Sequence, residues 1–198
     1  MLPPMLSPEK ACELVQQLPS MKLLAVDGLP CSGKSTLVTK MAARIGLQVV
    51  AVDDFFLPKS MWPRPITPSF PFSHYRYEVF LATVRELATT GRCEYFPFDW
   101  DSMEISQVAR SVILSAGPVA VEGTSSLHPE IAPLFDLRFF VESDERSTLE
   151  AILKRDGSYF EEEWRTLWLP SSAIYMETEP QLRADFLVRG RGIPGLED

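Results

Sequence analysis

The sequence predicts an α/β fold, a parallel sheet with helices on both faces, and three observations predict it. Short apolar runs (Leu23-Leu24-Ala25-Val26, Leu47 to Val52, Val119-Ala120-Val121, Leu137 to Val141, Ala184 to Val188) alternate with stretches of helical periodicity. The first run leads directly into Gly28-Leu29-Pro30-Cys31-Ser32-Gly33-Lys34-Ser35, a complete phosphate-binding loop, and then into a helix from Thr36 to Arg44. Carboxylates close two further runs, Asp53 after the second and Glu122 after the third, and parallel sheets bind ligands at the carboxyl ends of their strands.

Taken in order, Ser7-Pro8-Glu9 reads as a cap with proline at the first helical position. Ala11, Leu14, Val15 and Leu18 fall on one face, so a helix precedes the first strand. In the loop, Gly28 and Gly33 permit backbone angles that wrap amides around a polyphosphate at a helix N-terminus. Leu29, Pro30, Cys31, Ser32 and Thr36 belong to that nucleotide cradle, Lys34 reaches the β- and γ-phosphates, and the Ser35 hydroxyl joins a magnesium shell. Pro58, Pro63, Pro65, Pro68 and Pro71 forbid helix and central strand, so residues 54–76 form a functional flap.

Tyr77 to Ala88 reads as an amphipathic helix with Val79, Phe80, Val84 and Leu87 inward, ended by Gly91. Cys93 to Phe98 and Ile105 to Val108 look like a small strand pair within an acceptor-side hairpin, 92–110. A helix from about Glu145 to Arg155 and another from Glu161 to Tyr175, bent at Pro170, make a lid over 145–170. The tail from Gly190 to Asp198 reads as loose.

The chain's 198 residues fit one domain, 1–198, with a core over 20–190. A net charge of −8 argues against nucleic acid or an anionic membrane as partner and leaves small neutral or cationic substrates easier to hold. The start lacks basic residues and a signal-length apolar run, and no stretch approaches a membrane span. Cys12, Cys31 and Cys93 show no paired metal spacing, which suits a reduced, cytoplasmic setting. A homodimer is one assembly the sequence allows.

Phosphoryl transfer also needs a metal, a group that orients the attacking hydroxyl, and charge compensation. Asp53 is placed to accept the hydroxyl proton and to hold magnesium; Asp54 competes for either role, and the pair can instead cap the following turn. Glu122 completes the magnesium shell or caps a helix. Phe98-Asp99-Trp100-Asp101 suits a neutral ring and sugar hydroxyls, with a plain hairpin as its alternative. His74 lies in the flap, within reach of substrate or on the surface; neither it nor His128 reads as a general base.

Gly28 to Ser35, Val52-Asp53-Asp54-Phe55-Phe56-Leu57-Pro58, Phe98-Asp99-Trp100 and Val121-Glu122-Gly123 together resemble the uridine kinase and phosphoribulokinase family, most of all its bacterial uridine kinase-like members. Phe139-Phe140-Val141, followed by a helix ending in Lys154-Arg155-Asp156-Gly157, extends the likeness over nearly everything after residue 20. The resemblance implies the three-layer αβα sandwich of P-loop NTPases with a five-stranded parallel sheet, ATP with Mg2+ as donor, and a small alcohol as acceptor. It implies Asp53 as base, Glu122 on magnesium, Phe56 against the acceptor and Asp99 lining the acceptor pocket. Tyr77-Glu78 stands where the family has a ribose-binding aspartate, and Glu78 can still accept from a diol. The family's lid carries several arginines; here Ser147, Thr148, Glu150 and Ala151 leave Arg146, Lys154 and Arg155 on the phosphates, or Arg165 as a substitute.

A kinase for a nucleoside-like alcohol (uridine or cytidine, or alternatively nicotinamide riboside or pantothenate) is therefore the leading expectation. A nucleotide-binding module without catalysis is the alternative. A GTPase reading guanine through Asn-Lys-x-Asp is excluded, since the chain contains no asparagine.

Overall fold

The computed structural model describes residues 2–156 and 160–194. β1 (Met5–Leu6) is followed by α1 (Pro8–Gln16), whose Ser7 cap accepts from the Lys10 amide at 3.2 Å. β2 (Leu23–Gly28) is buried at every position. Leu23 and Ala25 join the core on one face of the sheet, Leu24 and Val26 the core on the other, as the two-residue period of a strand requires. The loop then opens into α2 (Lys34–Ile45), and β3 (Gln48–Ala51) runs into a 3-10 turn, Val52–Phe55, that carries both aspartates.

α3 (Tyr77–Thr90) ends at Gly91 and leads to four short strands, β4 (Arg92–Tyr95), β5 (Phe98–Asp99), β6 (Glu104–Ile105) and β7 (Arg110–Ile113). β8 (Val119–Glu122), β9 (Leu137–Glu142) and α4 (Glu145–Asp156) follow. α5 (Glu161–Glu163) continues through a π-helical stretch, Trp164–Trp168, into α6 (Leu169–Met176), and β10 (Phe186–Arg189) comes last.

The main sheet is parallel throughout, in the order β1-β10-β9-β2-β8-β3. α1 and α2 pack on one face, α3 and α6 on the other. The three-layer expectation stands, with six strands in place of five. The extra strand is β1, an edge of two residues that sets Met5 beside Leu187, while the Leu187 amide donates to the Pro4 carbonyl at 2.9 Å.

Other details differ from the sequence reading for local reasons. Val79 is 42% exposed, and Tyr77 and Leu81 take the inward positions on α3. The expected single strand pair is two antiparallel units, β4 with β7 and β5 with β6, because Pro97 has no amide to continue a ladder. Val108 lies outside both, in a turn where its amide donates to the Ser106 hydroxyl at 3.0 Å. Pro170 does interrupt the long helix: it cannot donate to the preceding turn, and the wider π-helical stretch sits just before it. Residues 157–159 of the expected lid, including Gly157, and residues 195–198 of the tail lie outside the described residues.

The described part of the tail is anchored rather than loose. The Arg191 amide donates to the Ser32 carbonyl at 2.9 Å, and the Asp144 amide donates to the Arg191 carbonyl at 2.9 Å.

Candidate active site

A cleft of about 440 Å³ opens at the carboxyl ends of β2, β3 and β8, lined by the phosphate loop, Asp53, Glu122, the end of the flap and the helices of the lid. Gly28 makes the loop possible. Its φ is +145°, and a Cβ there would lie 2.5 Å from the Val141 carbonyl oxygen of the neighbouring strand. The first helical hydrogen bond of α2 is made by the Leu37 amide to the Gly33 carbonyl at 3.0 Å, so the amides of residues 33–36 remain free for an anion. Lys34 is folded over the loop, its Nζ donating to the Leu29 carbonyl at 2.8 Å. Pro30, Cys31, Gly33, Lys34, Ser35 and Thr36 line the cleft, whereas Gly28, Leu29 and the buried Ser32 support it from behind.

Asp53 faces the cleft and accepts from the Tyr75 hydroxyl at 2.8 Å. Burial and the Asp53 charge raise the Tyr75 hydroxyl well above its ordinary value, so it stays a donor and fixes the carboxylate's orientation. Glu122 accepts from the Ser35 hydroxyl at 3.1 Å. Burial raises the Glu122 carboxyl above the usual range, opposed by Lys34 and reinforced by Asp53.

Among the described residues no cluster of three or more His, Cys, Asp or Glu side chains could cage a metal alone. Magnesium keeps water and phosphate ligands and asks the protein for only one or two carboxylates and a hydroxyl. Ser35, Glu122 and Asp53 fit that demand, and the mutual repulsion of the two carboxylates is what a cation between them would relieve.

Asp54 points away from the cleft. It accepts from the Tyr95 hydroxyl at 2.8 Å and Arg110 at 2.5 Å, tying the 3-10 turn to β4 and β7, and it lies outside the cleft lining. Asp99 is likewise occupied elsewhere: it accepts from the Asp101 amide at 3.0 Å and the Ser102 hydroxyl at 2.8 Å and closes the β5–β6 turn. Glu78 is exposed on α3 and lies outside the cleft lining. Phe98 is buried behind Phe56, with ring centres 5.7 Å apart, and also lies outside the lining.

Phe56 is the hub of an aromatic wall. Tyr75, Trp100, His74 and Trp168 surround it at ring separations of 4.4, 5.0, 5.1 and 5.7 Å. Burial lowers the His74 imidazole to about 3, so it is a neutral polar wall.

Of the lid cations, Arg155 lines the cleft and lies over the Trp164 ring at 5.8 Å. Arg146 and Arg165 are exposed and pair with Glu150 and Glu161 on their own helices. Lys154 lies outside the lining.

Sequence reasoning missed four groups. Asp27 is fully buried and accepts from the amides of Gly28, Ser125 and Leu127 and from the Tyr175 hydroxyl, at 2.6, 3.1, 2.7 and 2.5 Å. A charge inside an apolar strand was its signal, because such a charge must find partners. Tyr75 had no signal beyond its place in the flap. Trp168 read only as part of a helix. Arg191 stood in a segment that looked unstructured.

No family profile and no curated protein matches the chain. Its fold matches solved structures closely along nearly the whole length. A possible uridine kinase from Bacillus stearothermophilus superposes with a TM-score of 0.70 at 20% identity, covering 91% of this chain and 96% of that one. A candidate fructose transport system kinase from Silicibacter sp. TM1040 gives 0.69 at 22% identity, covering 92% and 98%. D-glycerate 3-kinase from Cryptococcus neoformans var. grubii gives 0.59 at 11% identity, covering 92% and 95%. The chain shares its three-layer α/β fold with these structures.

Proposed function

We propose that the protein is one kinase domain that moves the γ-phosphoryl group of ATP to a hydroxyl of a small, flat, nucleoside-like alcohol. One observation carries this reading: Asp53, oriented by Tyr75, meets the phosphate loop and the Glu122–Ser35 pair in a single cleft whose far wall is aromatic. A base, a triphosphate cradle and a ring-binding wall in one cavity serve transfer better than storage or hydrolysis.

In that reaction the acceptor hydroxyl gives its proton to Asp53 as its oxygen bonds to the γ-phosphorus. The bond from phosphorus to the ADP oxygen breaks, and Lys34 with the loop amides balances the charge on the phosphoryl oxygens. Magnesium, held by Ser35, Glu122 and Asp53, supplies further charge neutralisation when bound. Aromatic walls and the Arg155-bearing lid keep water from competing with the acceptor.

The fold neighbours bear differing kinase names, so the acceptor class rests on the wall itself. Phe56, Tyr75, Trp100 and Trp168 offer ring faces, and neutral His74 offers a polar edge; uridine or cytidine fits best, with nicotinamide riboside and pantothenate as further candidates. Among the described residues no helix is long and apolar enough to cross a membrane.

The test is ADP release from ATP–magnesium with and without a panel of nucleosides and vitamin alcohols. Acceptor-dependent turnover supports the reading. Tight ATP binding without turnover for any acceptor sinks it in favour of a binding module.

A further inference from the structure

The lid brings one arginine to the cleft, and the turn after β10 brings a second. Arg191, just past β10, lines the same cleft as Lys34 and Arg155. Its main chain is pinned on both sides, the amide to the Ser32 carbonyl and the carbonyl to the Asp144 amide, each at 2.9 Å. Its Nε donates to the Cys31 carbonyl at 2.9 Å. Three bonds thus hold an exposed arginine against the phosphate loop, two of them to loop carbonyls.

The neighbouring glycine shows how close this approach is. A Cβ at Gly190 would lie 2.4 Å from the Ser32 carbonyl oxygen and 2.5 Å from that of Glu142, so no larger residue lets the turn press on the loop. The Nε bond consumes one of five guanidinium donors. The terminal nitrogens make no hydrogen bond to a described residue, and they belong to a side chain on the cleft wall. A planar cation fixed beside a loop with free amides is suited to phosphate oxygens.

We propose that Arg191 is a polyphosphate-binding residue, supplying from the β10 turn the positive charge that Arg146 and Arg165 do not supply from the lid. This inference rests on the reading of the loop as a triphosphate site, but not on any choice of acceptor. The donor is then gripped from two sides, by Arg155 on the lid and by Arg191 on the turn that clasps the loop.

Calorimetric titration of the full chain with magnesium–ATP and with magnesium–tripolyphosphate tests this, using wild type, Arg191→Gln and Arg191→Lys. The expected result is that Arg191→Gln weakens both ligands by the same factor, roughly ten- to hundredfold. Arg191→Lys, which keeps the charge and loses the Nε bond, should retain most of the affinity at an unchanged melting temperature. Three outcomes overturn the proposal: no change in Arg191→Gln, a loss for ATP but not tripolyphosphate, or an equal loss in both variants. The last would make the arginine a loop anchor only. If the wild-type chain binds neither ligand, the triphosphate reading itself falls and this inference with it.

Discussion

On the phosphate-loop side of the cleft, the groups that face it are main-chain amides between Gly33 and Thr36 together with Lys34, all from one continuous stretch. On the aromatic side they are ring faces from residues far apart in the chain, Phe56, Tyr75, Trp100 and Trp168, which we propose meet the acceptor. The first kind of site depends on backbone angles that a short motif dictates, so it reads directly from the sequence and tolerates little change. The second depends on tertiary packing of a flap, a hairpin and a lid helix, so it can be reshaped one side chain at a time.

The division can be broken most sharply at Lys34. Lys34→Ala is expected to lower kcat/KM for ATP on the order of 10³-fold while leaving the folded state intact, as kinetics and thermal melting would show. Next comes Asp27, which joins the two halves by holding Gly28, the Ser125–Leu127 turn after β8, and Tyr175 on α6. Asp27→Asn turns an acceptor oxygen into a donor facing amides, and should cost about 3 kcal/mol in chemical denaturation.

Tyr75→Phe removes the hydroxyl that orients Asp53. It should reduce kcat roughly tenfold with little effect on KM for ATP, since the base stays but loses its alignment. Trp100→Ala belongs wholly to the acceptor wall and is expected to raise the acceptor KM by about tenfold. If it raised KM for ATP equally, the two halves would not be separable.

The smallest effect concerns pH. Burial raises the Glu122 carboxyl, so on acidification it takes up its proton earlier than an ordinary glutamate and becomes a poorer metal ligand. The apparent KM for magnesium–ATP should therefore rise as pH falls towards and through that raised value, while the acceptor KM stays flat in steady-state profiles.

How much of this was legible follows the same line. The loop, the strand ends carrying Asp53 and Glu122, and the cap at Ser7 are local patterns, and each appears where its pattern puts it. Asp54 and Asp99 carried the right chemistry for a site, but their partners Tyr95, Arg110 and Ser102 take them away from it, and a motif does not show which way a carboxylate turns. β1 escaped notice because two residues after Pro3-Pro4 have no period of their own; their pairing with β10 is purely tertiary. Arg191 escaped for a similar reason: what orders its turn is the close fit of Gly190 against Ser32 and Glu142, residues distant in sequence.

The central claim is that Asp53 is the base of the transfer step, with Ser35 and Glu122 carrying most of the hold on magnesium, and Asp53→Asn tests it most directly, in one preparation assayed for ATP affinity and for acceptor-dependent ADP release. The expected result is a rate loss of at least about 10²-fold with ATP affinity nearly unchanged. Turnover close to wild type, or ATP affinity lost in proportion to rate, would contradict it.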